Sequence, residues 1–272
     1  MVLSIIIPTC YRNHLLSKCL DALLPEAQKP MGFDYEVIVT DDSQENCAQS
    51  LLANHYTWAT WAKGPAQGPA ANRNSGAKKA AGKWLVFLDD DCIPDAGLLL
   101  SYNSFMVKDV SPDVIEGAIY SDEHIKLLFI APVNLTGGNL WSCNFAIKKS
   151  VFDQIGGFDE NFKFPHLEDM DLHRRLAAGG YHIKFNDKAK VYHPARPVAS
   201  PQKSALYNES WFYYQLKYNQ KPTLVALLLF TARIRLTAVW RAPKNGASVK
   251  AVFLLLAELY YTIIYSRKWK MK

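Results

Sequence analysis

The chain has 272 residues, of which 49% are apolar and 21% charged, so wholesale disorder is excluded and one large domain with an appendage is allowed. The net charge of +6 is unevenly placed: residues 1–200 carry 19 Lys/Arg against 23 Asp/Glu, whereas residues 201–272 carry 12 against 2. A body of net −4 therefore precedes a tail of net +10, and that tail also holds 13 of the 34 aromatic residues. Cysteines at 10, 19, 47, 92 and 143 form no CxxC pair, which argues against a disulfide scaffold or zinc ribbon and for a reducing compartment.

Residues 2–7 are a β-branched run expected to form a buried strand that stops at Pro8, rather than a signal peptide. Residues 12–24 show a helical apolar stripe. Residues 35–40 read as a second strand running into Asp41-Asp42-Ser43, followed by helix over 44–53 and a short strand over 56–61. A Gly/Pro loop at 64–69 leads into a small-residue helix over 70–81, and the strand at 84–88 ends in Asp89-Asp90-Asp91. Pro94 and Asp95 are expected to open the next helix, with a strand following at 114–119. Alternating strands and helices predict an α/β fold with a mostly parallel central sheet, whose ligands sit beyond the carboxyl ends of the strands.

Beyond residue 136 the pattern changes. A loop at 136–139 precedes a short helix at 148–155. Residues 168–178 read as a helix stopped by Gly179-Gly180, and short strands at 182–185 and 189–192 end at His193-Pro194. The proline-rich stretch 194–201 separates a domain of residues 1–200 from a helical extension of residues 201–272.

The triple aspartate has two readings. Three carboxylates at a strand end suit Mg²⁺ or Mn²⁺, and a solvated acidic turn with Asp95 as helix N-cap explains the same residues. Asp41 and Asp42 either terminate a strand or bond a base or ribose. Arg73 is either part of a polar helical turn or a partner for a phosphate, ribose or acid. No GxGxxG or GxxxxGKS occurs, so a dinucleotide-dependent dehydrogenase and a P-loop NTPase are disfavoured. Glu168 and Asp169 open a helix, where acids are favoured by the dipole and where the same dipole is expected to keep a carboxylate ionised as a base.

Taken in order, SIIIPTCYR (4–12), EVIVTDDS (36–43), the 68–94 segment ending LDDDCIP, the 143–162 segment, LEDMDLHRRLAAGGYHI (167–183) and VYH (191–193) resemble family 2 glycosyltransferases of the GT-A fold. The resemblance spans residues 2–195. It implies transfer of a sugar from a nucleotide-diphosphate donor to an acceptor hydroxyl, with Mg²⁺ or Mn²⁺. Thr9, Asp41 and Arg73 match positions that contact the nucleoside or shape its pocket, and Asp42 is a further donor-binding candidate. Asp89 and Asp91 match the ends of the DXD motif, with Asp90 between them as a further candidate, and Asp91, Asp89 and His193 are the candidate metal ligands. Gly137, Gly138 and Asn139 lie where a loop meets the donor sugar or acceptor. Asp169 matches the base, with Glu168 orienting it or the acceptor, and a single displacement inverts the anomeric carbon. A non-catalytic nucleotide-sugar-binding scaffold and a nucleotidyltransferase are the rival readings.

In the tail, helices are expected at 203–219, 223–241 and 247–265, interrupted by Arg233, Arg235 and Glu258 and by a break at 243–246. Apolar, Trp/Tyr-rich helices with flanking Arg267, Lys268, Lys270 and Lys272 suit an anionic membrane surface. Packing on the body or in a homodimer is the competing reading, and nucleic acid is ranked low. The expected place is cytoplasmic and peripheral on the inner face of the cell membrane, facing a sugar or lipid-linked acceptor.

Overall fold

A computed structural model describes residues 3–28, 32–107, 111–124, 128–240 and 247–269. Val2, the break at 243–246, Lys270 and Lys272 lie outside the described residues, as does the side chain of Arg235. In chain order the elements are β1 (Leu3–Thr9), α1 (Asn13–Ala22), β2 (Tyr35–Asp41), α2 (Cys47–His55), β3 (Thr60–Lys63), α3 (Pro69–Lys79), β4 (Trp84–Leu88), β5 (Ile93–Pro94), α4 (Leu98–Met106), β6 (Val114–Tyr120), β7 (Phe129–Ile130), β8 (Asn144–Lys148), α5 (Lys149–Gln154), α6 (Glu168–Ala178), β9 (Ile183–Tyr192), β10 (Arg196–Pro197), α7 (Pro201–Lys217), α8 (Leu224–Trp240) and α9 (Ala247–Ser266).

The main sheet runs β3-β2-β1-β4-β8-β6-β9-β5. Strands β3, β2, β1 and β4 are mutually parallel, as are β6 and β9, while β8 and β5 run against their neighbours. The parallel half follows from the buried aliphatic runs of β1, β2 and β4, which are covered on both faces by helices. Gly76 lets α3 lie close on this sheet: a Cβ there would come within 2.5 Å of Ile6 Cγ2.

Several expected boundaries move for identifiable reasons. Strand β1 continues through Pro8 to Thr9, because an extended backbone tolerates the proline φ and only one ladder N–H is lost. Tyr56 caps α2, and a turn from Ala59 N to Tyr56 O delays β3 to residue 60. Pro94 and Asp95 do not open a helix: Ile93-Pro94 pairs with β9, and α4 begins at Leu98 after Gly97. Asp95 accepts a hydrogen bond from Tyr120 Oη at 2.8 Å instead of capping α4. The two expected strands around 182–192 are one strand with a register shift opposite Gly117 and Ala118. There Asn144 Nδ2 bonds Ala118 O and Ala189 O, both at 2.9 Å, and so ties the bulge together. Helix α6 ends in a Schellman motif, with Tyr181 N bonded to Leu176 O at 3.2 Å and Gly180 N to Ala177 O at 3.1 Å.

The chain divides into two units: Met1–Asp122 with Ala131–Lys163 and Glu168–Pro194, and Glu123–Ile130 with Phe164–Leu167 and Ala195–Lys272. The second, tail unit includes β7, because β10 pairs with it in a small antiparallel ribbon. In this unit α9 buries Ala251, Leu255, Glu258 and Thr262 along one face. Asn208 of α7 donates to Thr262 Oγ1 at 2.9 Å. Glu258 lies on this inner face, so it does not interrupt the outer face, where Val249, Phe253, Leu256, Tyr260 and Ile263 recur at helical spacing and are exposed. Among the described residues, no helix is long and apolar enough to cross a membrane.

Candidate active site

The polar ends of β1, β2 and β4 are brought side by side by their parallel registers, as Leu3↔Tyr35 and Leu3↔Trp84 pairing dictates. The three aspartates after β4 then take separate roles. Asp90 is fully buried and accepts from Thr9 Oγ1 at 2.7 Å and from Arg12 Nη2 at 2.8 Å. Burial pushes its carboxyl up to about 7, against the opposing pull of Arg12 and Thr9. Thr9, expected at the nucleoside, therefore spends its hydroxyl proton on Asp90. Asp91 meets Arg12 Nη1 at 3.1 Å and His193 Nε2 at 3.4 Å. Asp89 is a quarter exposed and pairs with Arg73 Nη2 at 2.6 Å. Burial works to raise its pKa, but Arg73 outweighs that and holds it below the ordinary carboxylate value.

Arg73 is buried, and its second nitrogen, Nη1, reaches Glu168 Oε1 at 3.1 Å. Phe158 lies under the guanidinium, 5.6 Å from ring centroid to Cζ. Of the partners expected for Arg73, the structure supplies two acids, and the residue bridges the DXD strand end and the start of α6. Its neighbours Asn72 and Asn74 are structural: Asn72 donates to Thr40 O, and Asn74 exchanges hydrogen bonds with the backbone of Phe158.

At the start of α6, burial and the neighbouring Asp169 carboxylate raise Glu168 to about 8, with Arg73 pulling the other way. Asp169 is also raised, chiefly by burial, although Met170 N donates to it at 2.8 Å and Ser142 N at 3.4 Å. The dipole was expected to keep an acid here ionised. For Glu168, desolvation and the adjacent Asp169 charge win instead, whereas for Asp169 burial raises the pKa against its N–H donors and Arg73. Asp171 is buried on another face, where it receives Arg175 Nε at 2.8 Å.

Asp41 and Asp42 also separate. Asp41 is fully buried, and its two oxygens accept from Ser43 N and Ala48 N at 2.9 Å. Asp42 remains partly exposed, with Ala66 N on one oxygen at 2.9 Å. In the 136–139 loop, Gly138 and Asn139 are exposed, yet both of their backbone N–H groups point inward to Glu116. Those amides are thereby removed from any contact with a sugar. Gly137 has φ +81, and a Cβ there would come within 2.9 Å of Phe185.

The site suits a divalent cation. His193 is buried, and its Nδ1 faces Pro194 O at 3.0 Å; a carbonyl only accepts, so Nδ1 carries the proton. Nε2 then faces Asp91 across 3.4 Å, where a proton or a metal ion is required to keep a lone pair and a carboxylate together. The Asp91 oxygen, His193 nitrogen and Cys92 sulfur lie within 4.8 Å of one another. Carboxylate and imidazole suit Mn²⁺ or Mg²⁺, and the thiol is the soft member of the set.

Arg12, Cys92 and Glu116 were not singled out from the sequence. Arg12 had a signal, being the first cation after β1 and inside a motif whose strand neighbours an acidic one. Glu116 had none, since a lone acid in an apolar run marks no partner.

Two family profiles cover this unit: glycosyl transferase family 2 matches residues 4–121, and the N-terminal domain of galactosyltransferase matches residues 132–196. The chain is a glycosyltransferase, with a family 2 domain over residues 4–121. The transferase is 27% identical over 184 residues to the UDP-Glc:alpha-D-GlcNAc-diphosphoundecaprenol beta-1,3-glucosyltransferase WfgD of Escherichia coli, covering 63% of this chain and 68% of that one. It is 34% identical over 113 residues to the poly(ribitol-phosphate) beta-glucosyltransferase of Bacillus spizizenii, covering 38% of this chain but only 17% of that protein. A Campylobacter jejuni GalNAc(5)-diNAcBac-PP-undecaprenol beta-1,3-glucosyltransferase is 34% identical over 94 residues, covering 33% of this chain and 29% of that one.

Among solved structures, S. aureus TarS 1-349 in complex with UDP-GlcNAc superposes with TM-score 0.57 at 18% identity, over 100% of this chain and 77% of that one. The Pyrobaculum calidifontis mannosyltransferase PcManGT, in complex with GDP-Man and Mn²⁺, gives TM-score 0.57 at 15% identity, over 98% and 79%. At these identities the likeness establishes the fold, and the transferase has the GT-A architecture: a mostly parallel sheet flanked by helices, followed by C-terminal helices.

Proposed function

We propose that this transferase moves a sugar from a nucleotide-diphosphate donor to a hydroxyl of a sugar or lipid-linked acceptor, with inversion, in cell-surface polysaccharide or glycolipid synthesis. The observation that carries the reading is Arg73, whose one guanidinium touches both Asp89 and Glu168. It makes the acidic end of β4 and the acidic start of α6 parts of one site. Asp42 is the carboxylate assigned to the nucleoside. Asp91 and His193, with Asp89 beside them, would hold Mg²⁺ or Mn²⁺, which supplies positive charge opposite the departing diphosphate.

The chain's own residues do the rest. Asp169 accepts the proton of the acceptor hydroxyl as that oxygen attacks the anomeric carbon from the face opposite the leaving group. Its raised pKa makes it a better proton acceptor than an ordinary aspartate once it is ionised. Ser142 N–H holds one of its oxygens, and Glu168, fixed by Arg73, orients the base. Asp169→Asn is expected to bind donor nucleotide within about twofold of the parent and to lose at least ~100-fold in transfer. Parental turnover in that variant would overturn the assignment.

The tail unit is proposed to bind the anionic inner face of the cell membrane. The exposed apolar stripe of α9 supports this, together with exposed Val225, Leu229 and Phe230 on α8 and the +10 charge of residues 201–272. Acceptors of the E. coli and C. jejuni relatives carry an undecaprenyl chain, which is consistent with work at a lipid surface.

A further inference from the structure

We propose that Glu116 is a positioning residue of the transfer site: it shapes the 134–142 loop from below so that the Ser142 N–H meets Asp169. Glu116 lies on β6, only 3% exposed, immediately before the register shift at Gly117. Three N–H groups of the loop converge on its carboxylate. Asn134 Nδ2 at 2.5 Å and Asn139 N at 2.7 Å bond Oε1, and Gly138 N bonds Oε2 at 2.9 Å. None of the three is a cation.

Asn134 extends the grip. Its Oδ1 accepts from Gly137 N at 3.0 Å and its Nδ2 also reaches Asn139 O at 3.2 Å. Its backbone pairs both ways with Ile119 of β6, at 2.8 and 2.9 Å. From Asn139 the loop turns through Trp141 N to Asn139 O at 2.6 Å and delivers Ser142 N to Asp169 Oδ2 at 3.4 Å.

The chemistry requires a carboxylate. Burying an anion is costly, and here charge-assisted bonds from three N–H donors offset that cost. A carboxylate presents only acceptors, so all three donors are met. A glutamine would turn its own NH₂ toward at least one of them and leave a donor facing a donor. This role rests on Asp169 being the base, which Ser142 N–H meets.

The test uses the full chain and two variants, Glu116→Gln and Asn134→Ala, with Asp169→Asn in parallel. Three quantities are measured: amide hydrogen exchange, calorimetric affinity for UDP with Mn²⁺, and nucleoside diphosphate release from a panel of UDP- and GDP-sugars. In Glu116→Gln, the amides of Gly138, Asn139 and Ser142 are expected to exchange at least 10-fold faster. Diphosphate release falls at least 10-fold, and UDP affinity stays within twofold. Asn134→Ala moves the same quantities in the same direction by a smaller factor, and carries the test if the glutamine variant does not fold. Parental protection of Ser142, or release and UDP affinity falling together in proportion, would overturn the proposal. Parental release in Asp169→Asn would instead remove the base, while the exchange of the 134–142 amides still reports on Glu116.

Discussion

Arg73 Nη1 lies 3.1 Å from Glu168 Oε1, joining residues 95 positions apart in the chain inside a buried site. The same guanidinium holds Asp89, so removing it strands two carboxylates at once. Arg73→Met is expected to cost about 3 kcal/mol in denaturant unfolding at neutral pH, the low end for breaking a buried pair, because Glu168 already holds a proton and only Asp89 is left as an unpaired charge. Arg73→Lys keeps the charge but not the fork, since one ammonium cannot reproduce two divergent contacts. Transfer is expected to drop at least ~10-fold in that variant with a smaller loss of stability.

Glu168 makes stability depend on pH in an unusual direction. Its folded pKa of about 8 lies above the ordinary 4.5, so between these values the folded state binds more protons than the unfolded state. Stability is then present below about pH 4.5 and is lost as pH rises through 8, with a slope of at most about 1.4 kcal/mol per pH unit from this group. Denaturation midpoints across pH 5–8 should show the decline, and Glu168→Gln should flatten it.

Asp169 sets the acid limb of activity. It must be ionised to act, and its pKa is raised chiefly by burial. The kcat–pH profile is expected to rise at higher pH than for a solvent-exposed aspartate. Glu168 holds its proton up to about pH 8, so Glu168→Gln should leave the limb in place even if the maximum rate falls.

Cation binding should be visible without turnover. At ~100 times its Kd, Mn²⁺ is expected to stabilise the protein by about 2.7 kcal/mol, read as a thermal shift that chelator reverses. His193→Ala and Asp91→Asn should each abolish most of that shift. An undiminished shift in both variants would remove them as ligands.

For the tail, Phe253→Glu and Leu256→Glu place charge on the outer stripe of α9, where both residues are exposed. Flotation with anionic vesicles is expected to fall at least ~5-fold, while unfolding changes by less than about 0.5 kcal/mol because nothing buried is disturbed. Unchanged flotation would sink the lipid assignment.

Much of this protein is written locally. The aliphatic runs of β1, β2 and β4, the small residues of α3 and the diglycine after α6 specify their elements by periodicity and backbone freedom, which need no distant partner. The carboxylates of the candidate site were legible as residue types for the same reason. Their roles were not. Asp41 and Asp42 are neighbours of identical chemistry, yet one is saturated by backbone amides and the other remains open to a ligand. Arg73 became a bridge, Thr9 a partner of Asp90, and Glu168 a proton holder up to about pH 8, because burial and contacts across 80 to 95 residues decide which charges are desolvated and which are paired. Glu116 is the furthest case: only the sheet register places it under the loop it holds. Sequence alone determined which groups were present and on which kind of element. Tertiary structure decided what each group faces, and electrostatics in a buried site depends on that.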